Sequence, residues 1–177
     1  MTRDNSVIST EQRVVIIGFM GSGKTTIAEA LARDLKCEWI DLDELIGSYV
    51  KRSPDEIIRQ NGESKFREVE TSILRKALSL GSWRVIAAGG GAWTIDANRK
   101  LIAENGALTV WLDAPFDLCW KRIEDGGVTR PLASSREAAL KLYDERRSVY
   151  ELADMRIKVD EEDSPEEIAS RIAGTLP

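Results

Sequence analysis

Val14-Val15-Ile16-Ile17-Gly18-Phe19-Met20-Gly21-Ser22-Gly23-Lys24-Thr25 is the stretch that decides the architecture. Its first four residues are continuously apolar, the composition of a strand buried on both faces. After it, Ile27, Ala28, Leu31 and Leu35 recur at helical spacing. Between strand and helix, residues 18–25 fit Gly-x-x-x-x-Gly-Lys-[Ser/Thr]. Glycines let the backbone curl so that its N–H groups converge on phosphate oxygens. The helix that follows adds free N–H groups and the positive end of its dipole. Lys24 supplies a mobile cation to the β- and γ-phosphates, and Thr25 offers a hydroxyl ligand to Mg²⁺. The loop points to a nucleoside triphosphate and leaves the acceptor open.

The same alternation continues along the chain. Short apolar runs at 38–40, 85–88, 108–112 and 156–159 read as strands. Helices are expected over 63–80, 96–104, 115–124 and 136–153. Ser53-Pro54-Asp55-Glu56 and Ser164-Pro165-Glu166-Glu167 are capping boxes with proline at the first helical position. Continuous apolar strands separated by helices predict a parallel sheet covered on both faces. Ligands of such sheets lie beyond the carboxyl ends of the strands. The polar punctuation falls there: the phosphate loop, Asp41 and Asp43, Gly89-Gly90-Gly91, and Asp113. No repeat or linker divides the 177 residues, so one domain over 1–177 is expected, with 1–12 as a frayed tail.

Composition removes whole classes of chemistry. With no histidine, triads, imidazole bases and histidine-bound metals are excluded. Two cysteines, Cys37 and Cys119, cannot build a disulfide framework or a Cys-only zinc site. The formal charge of −5 argues against a general binder of nucleic acid or anionic membranes. No run approaches the length of a membrane helix and the N-terminus has no signal-peptide core, so a cytoplasmic protein is expected. Of the five tryptophans, Trp39 and Trp111 read as core and Trp93 as the one near a pocket.

On the acceptor side, Asp41 and Asp43 at alternate strand positions would point the same way. One could hold Mg²⁺ through water while the other takes the proton of an attacking hydroxyl; the alternative for Asp43 is a helix cap, a reading the upstream phosphate loop weakens. Arg67 and Glu70 share a helix face, either as a surface pair or as a guanidinium fixed to grip a carboxylate. Three glycines at 89–91 either admit a ligand against bare backbone or make a tight turn. Arg130 lies in a glycine- and proline-containing loop that could bring it onto the transferring phosphoryl group. Arg146 and Arg147 sit on a charged helix whose face would ordinarily be wet.

Taken together, the motifs GFMGSGKTT at 18–26, Asp41-Leu42-Asp43, GESKFREVE at 62–70, the triplet at 89–91, TRPL at 129–132 and Glu145-Arg146 before Tyr150 resemble the shikimate kinase family. The resemblance implies a P-loop kinase fold, an α/β architecture with a five-stranded parallel sheet ordered 2-3-1-4-5. It implies transfer of the γ-phosphate of ATP to the 3-hydroxyl of shikimate. Gly21, Ser22, Gly23, Lys24, Thr25 and Thr26 would wrap the phosphates, with Thr25 and, through water, Asp41 on Mg²⁺. Asp43 would be the base, and Lys24 and Arg130 would act on the transferring group. Phe66, Arg67, Gly89, Gly90, Gly91 and Arg146 would hold shikimate, and Arg122 would neighbour the adenine. Ser148-Val149 stand where the family has a proline-leucine pair, which leaves Arg147 as an alternative clamp. Residues 37–70 would form the substrate lobe and 124–136 the lid of a monomer without nucleic-acid or membrane partners. A gluconate or nucleoside monophosphate kinase, or a non-catalytic nucleotide-binding regulator, are the other readings.

Overall fold

The computed structural model describes residues 12–80, 82–127 and 131–176. In chain order the elements are β1 (Val14–Ile17), α1 (Lys24–Leu35), β2 (Glu38–Asp41), α2 (Leu42–Val50), α3 (Pro54–Asn61), α4 (Glu63–Leu80) and β3 (Trp83–Ala87). A single 3-10 turn (Ala92–Thr94) leads to α5 (Asp96–Glu104), β4 (Leu108–Asp113), α6 (Phe116–Asp125), α7 (Arg136–Tyr150), β5 (Met155–Lys158) and α8 (Pro165–Ala173). The five strands form one parallel sheet in the order β2-β3-β1-β4-β5.

β1 is the central strand, with Val14 in register with Val85 on one side and Leu108 on the other. All four of its residues are fully buried, as a strand covered on both faces must be. The apolar stripe of α1, Ile27, Ala28 and Leu31, is buried where that helix packs on β2, β3 and α8. From α8, Ile168, Ala169 and Ile172 enter the same core.

Both capping boxes form. Ser53 Oγ accepts from Glu56 N at 3.2 Å while Glu56 Oε2 accepts from Ser53 N at 2.7 Å. Ser164 and Glu167 repeat the arrangement at 2.8 and 3.2 Å. These reciprocal bonds satisfy N–H groups at the helix starts and fix where α3 and α8 begin.

Several boundaries differ from the sequence expectation: β3 runs Trp83–Ala87 rather than 85–88, β5 Met155–Lys158 rather than 156–159, and β2 and α6 shift by one residue at their ends. α7 stops at Tyr150 rather than 153, because the next amides turn back in tight i→i−3 bonds: Leu152 N to Val149 O and Ala153 N to Tyr150 O. The nine-residue α2 starts immediately at the end of β2. Its buried residues Leu42, Leu45 and Ile46 recur at helical spacing, so the helix is short but regular.

The strand order assembles the functional edge. β3 lies between β2 and β1, so residues 89–91 emerge between the phosphate loop and Asp41. Among the described residues, no helix is long and apolar enough to cross a membrane.

Candidate active site

Gly21 has φ +76°, and a Cβ there would lie 2.4 Å from the carbonyl oxygen of Cys119. Both the left-handed backbone and the close approach of α6 therefore require glycine. Gly23, at φ +95°, is the N-cap of α1 and provides no side-chain cap. The first amides of α1 thus have no capping side chain competing for them. Lys24 Nζ donates to Phe19 O at 2.8 Å. Gly21, Gly23, Lys24, Thr25, Thr26 and Arg122 line one cavity of about 300 Å³, and Arg122 Nη1 donates to Gly21 O at 3.3 Å. Ser22 belongs to the same loop but does not line the cavity. Its side chain is fully buried beneath the loop, against Gly18, and its N–H donates to Phe19 O at 3.2 Å.

Asp41 and Asp43 both reach this cavity, but not by strand alternation. β2 ends at Asp41, and Asp43 already belongs to α2. Asp41, not Asp43, is the N-cap: its Oδ1 accepts from Asp43 N at 2.8 Å. Its Oδ2 accepts from Thr25 Oγ1 at 2.5 Å. The Thr25 hydroxyl and the Asp41 carboxylate are hard oxygen donors of the kind that would hold Mg²⁺ beside a bound phosphate. No group of three or more acidic, cysteine or histidine side chains forms a metal cage among the described residues.

A second cavity adjoins the first, and Met20, Asp43, Gly89 and Gly90 line both. On its far side Arg67 Nη1 donates to Glu70 Oε2 at 2.7 Å and Arg67 Nη2 to Glu63 Oε1 at 3.0 Å. Glu70 is fully buried, which excludes the reading of a loose surface pair. Burial pushes its carboxyl above the ordinary range against the pull of Arg67; Asp43 pushes the same way and Arg146 opposes. Burial would lower the guanidinium of Arg67, but Glu70 and Glu63 outweigh it, so Arg67 stays charged.

The glycine triplet is bare because charged side chains close on its backbone. A Cβ on Gly91 would lie 2.1 Å from Arg67 Nη2, and one on Gly89 would lie 2.8 Å from Glu70 Oε1 and 3.2 Å from Asp43 Oδ1. The Gly90 carbonyl accepts a hydrogen bond from the phenol of Tyr150, which is buried. Burial holds that phenol protonated, its pKa pushed up to about 12.

The two neighbouring arginines of α7 separate cleanly. Arg146 is 7% exposed and lines the second cavity. Arg147 faces away, donating to Asp113 Oδ1 at 2.8 Å and Tyr143 Oη at 2.9 Å, with its guanidinium 5.2 Å above the Trp111 ring. Arg156 joins the same carboxylate at 2.8 Å. Arg147 is therefore engaged elsewhere, and Asp113 serves these arginines instead of either cavity.

Phe66 lines the second cavity beside Arg67, and Pro131 and Leu132 close one edge. Arg130 and its neighbours 128 and 129 lie outside the described residues. Trp93 is not part of either cavity. It is 5% exposed, and its Nε1 donates to Val149 O at 2.9 Å, tying the 3-10 turn to α7. Pro54, Asp55 and Ile58 of α3 line the second cavity and were not among the expected site residues. Their capping box announces a helix start, and nothing in that local pattern tells which way the helix faces.

The model of the family described as shikimate kinase matches residues 20–177. A shikimate kinase of Cereibacter sphaeroides is 38% identical, covering 94% of this chain and 83% of its own. One of Ruegeria pomeroyi is 35% identical, covering 99% and 90%. The structure of shikimate kinase from Acinetobacter baumannii in complex with shikimate superposes with a TM-score of 0.84 at 28% identity, covering 94% of this chain and 96% of that one. A phosphate loop on a 2-3-1-4-5 sheet, an acid on the wall common to two cavities and these relatives converge: the chain belongs to the shikimate kinase family.

Proposed function

We propose that this chain phosphorylates the 3-hydroxyl of shikimate with ATP, giving shikimate 3-phosphate. The observation that carries the reading is the position of Asp43. It stands on the wall between the phosphate cavity and a cavity floored by the buried Arg67–Glu70 pair. Nucleotide and acceptor thus meet at one carboxylate. Arg67 and Arg146 form a clamp for the acceptor carboxylate, the fork of each matching its two oxygens. Asp43 takes the hydroxyl proton as that oxygen bonds to the γ-phosphorus and the bond to the ADP oxygen breaks. Lys24 balances charge on the transferring group. Thr25 and Asp41 would hold Mg²⁺, which supplies further neutralisation of phosphate charge when bound.

The resemblance supports Arg130 as a lid arginine, residues 124–136 as the lid and 37–70 as the acceptor lobe of a single domain spanning 1–177. The same reading makes the protein a cytoplasmic monomer without nucleic-acid or membrane partners. Arg122, in contact with the phosphate loop, would lie toward the nucleotide base.

ADP release measured with Mg²⁺-ATP against shikimate, gluconate and nucleoside monophosphates tests the proposal. Turnover is expected with shikimate alone; turnover only with the others would overturn it. A second expectation follows from the glycine triplet. Gly91→Ala would drive a methyl into the Arg67 guanidinium. It should raise the KM for shikimate by about 10- to 100-fold, as misplacement of a binding group does. The KM for ATP should barely move, and equal loss of both would mean the loop has collapsed.

A further inference from the structure

We infer that Asp55 is an anion-selectivity residue of the acceptor cavity, weakening the hold on acidic ligands and most of all on the phosphorylated product. The inference rests on the shikimate kinase reading above and adds a residue to it. Asp55 sits in the first turn of α3, half-buried, and lines the cavity that also holds Arg67, Glu70 and Arg146. Of the carboxyl groups beside it there, Glu70 is bonded to Arg67. The Asp55 carboxylate makes no ion pair or hydrogen bond among the described residues; only its backbone carbonyl is used, accepting from Arg59 Nε at 3.3 Å. Among the described residues, the guanidiniums of Arg67 and Arg146 line the cavity with the carboxyl groups of Asp43, Asp55 and Glu70, and that of Asp55 is paired with neither guanidinium.

An uncompensated carboxylate on a cavity wall repels every anion that enters, in proportion to the anion's charge. Shikimate carries one negative charge and is held by two guanidiniums. Its phosphorylated product carries that charge plus those of a phosphate monoester, about −1.5 to −2 near neutral pH. The penalty from Asp55 is thus mild for the substrate and steeper for the product. Such a gradient favours departure after transfer. It also disfavours acceptors with a second acidic group, which the two arginines alone would attract.

The alternative role of Asp55 is confined to its helix, since a carboxylate in a first turn complements the helix dipole. A third possibility is a direct hydrogen bond from a neutral hydroxyl of the acceptor. The three roles predict different outcomes for one variant, Asp55→Asn, which keeps the size but removes the charge and, with it, the charge-assisted acceptor that a direct contact would need. Binding of shikimate and of shikimate 3-phosphate would be followed by titration calorimetry on wild type and variant, at low and high salt. Shikimate should bind the variant about two- to fivefold more tightly, as for charges roughly 8 Å apart in a largely aqueous dielectric. Shikimate 3-phosphate should tighten by a larger factor, and both gains should shrink in high salt. Weaker shikimate binding would replace the proposal with a direct contact. Unchanged affinities, with or without a shift in melting temperature, would reduce Asp55 to its helix. Wild-type protein that fails to phosphorylate shikimate at all would refute the parent reading, a result separate from any effect of this variant.

Discussion

Replacing Asp43 with asparagine should lower kcat by about 10²- to 10⁴-fold, the usual share of a positioned general base. ATP binding should be nearly unaffected. The expectation follows from which aspartate does which work. Asp41 caps α2 and bonds Thr25, so both oxygens of its carboxylate are already committed. Asp43 is released from capping and stands between the two cavities. Asparagine has nearly the same shape and can still hold a hydroxyl, but it cannot take the proton. Single-turnover quench-flow with saturating ATP and shikimate isolates the chemical step. A variant that transfers phosphate at the wild-type rate would remove Asp43 from the chemistry.

The second large effect is expected at Arg67. Arg67→Ala should weaken shikimate binding by about 2–4 kcal/mol, the loss of one arm of a charge-assisted clamp. It should also destabilise the fold, since Glu70 is fully buried and its Oε2 is held by Arg67. Breaking a buried pair from one side typically costs about 3–5 kcal/mol. Arg67→Lys separates the two consequences. A lysine keeps a charge for Glu70 yet lacks the fork, so stability should largely return while shikimate affinity does not. Denaturant melts and calorimetric titrations with shikimate and with nucleotide measure both. Equal weakening of nucleotide and shikimate would make Arg67 a structural residue only.

Much of this site is legible from local pattern because its backbone parts are local. The phosphate loop, the strand ends and the capping boxes are each set by neighbours within a few residues, and the sheet order accords with the family resemblance. What local pattern hides is direction across distance. Arg146 and Arg147 are indistinguishable as adjacent charges on one helix. The choice between them is made by Asp113 and Trp111 on β4, far away in the chain. The glycine triplet reads as open space for a ligand, and the space a Cβ would take is filled by the site's own Arg67, Glu70 and Asp43. Trp93 follows the triplet in the chain but turns its ring toward α7. Asp55 and Ile58 follow a helix-start signal that says nothing of the cavity their helix walls.

Asp41 has a bearing on how variants of this enzyme are to be interpreted. One carboxylate begins a helix with one oxygen and steadies a nucleotide-side hydroxyl with the other. Architecture and reactivity are riveted together at that side chain. A lesion there registers in a melting curve and in an assay at once, and neither readout by itself can be attributed to lost metal.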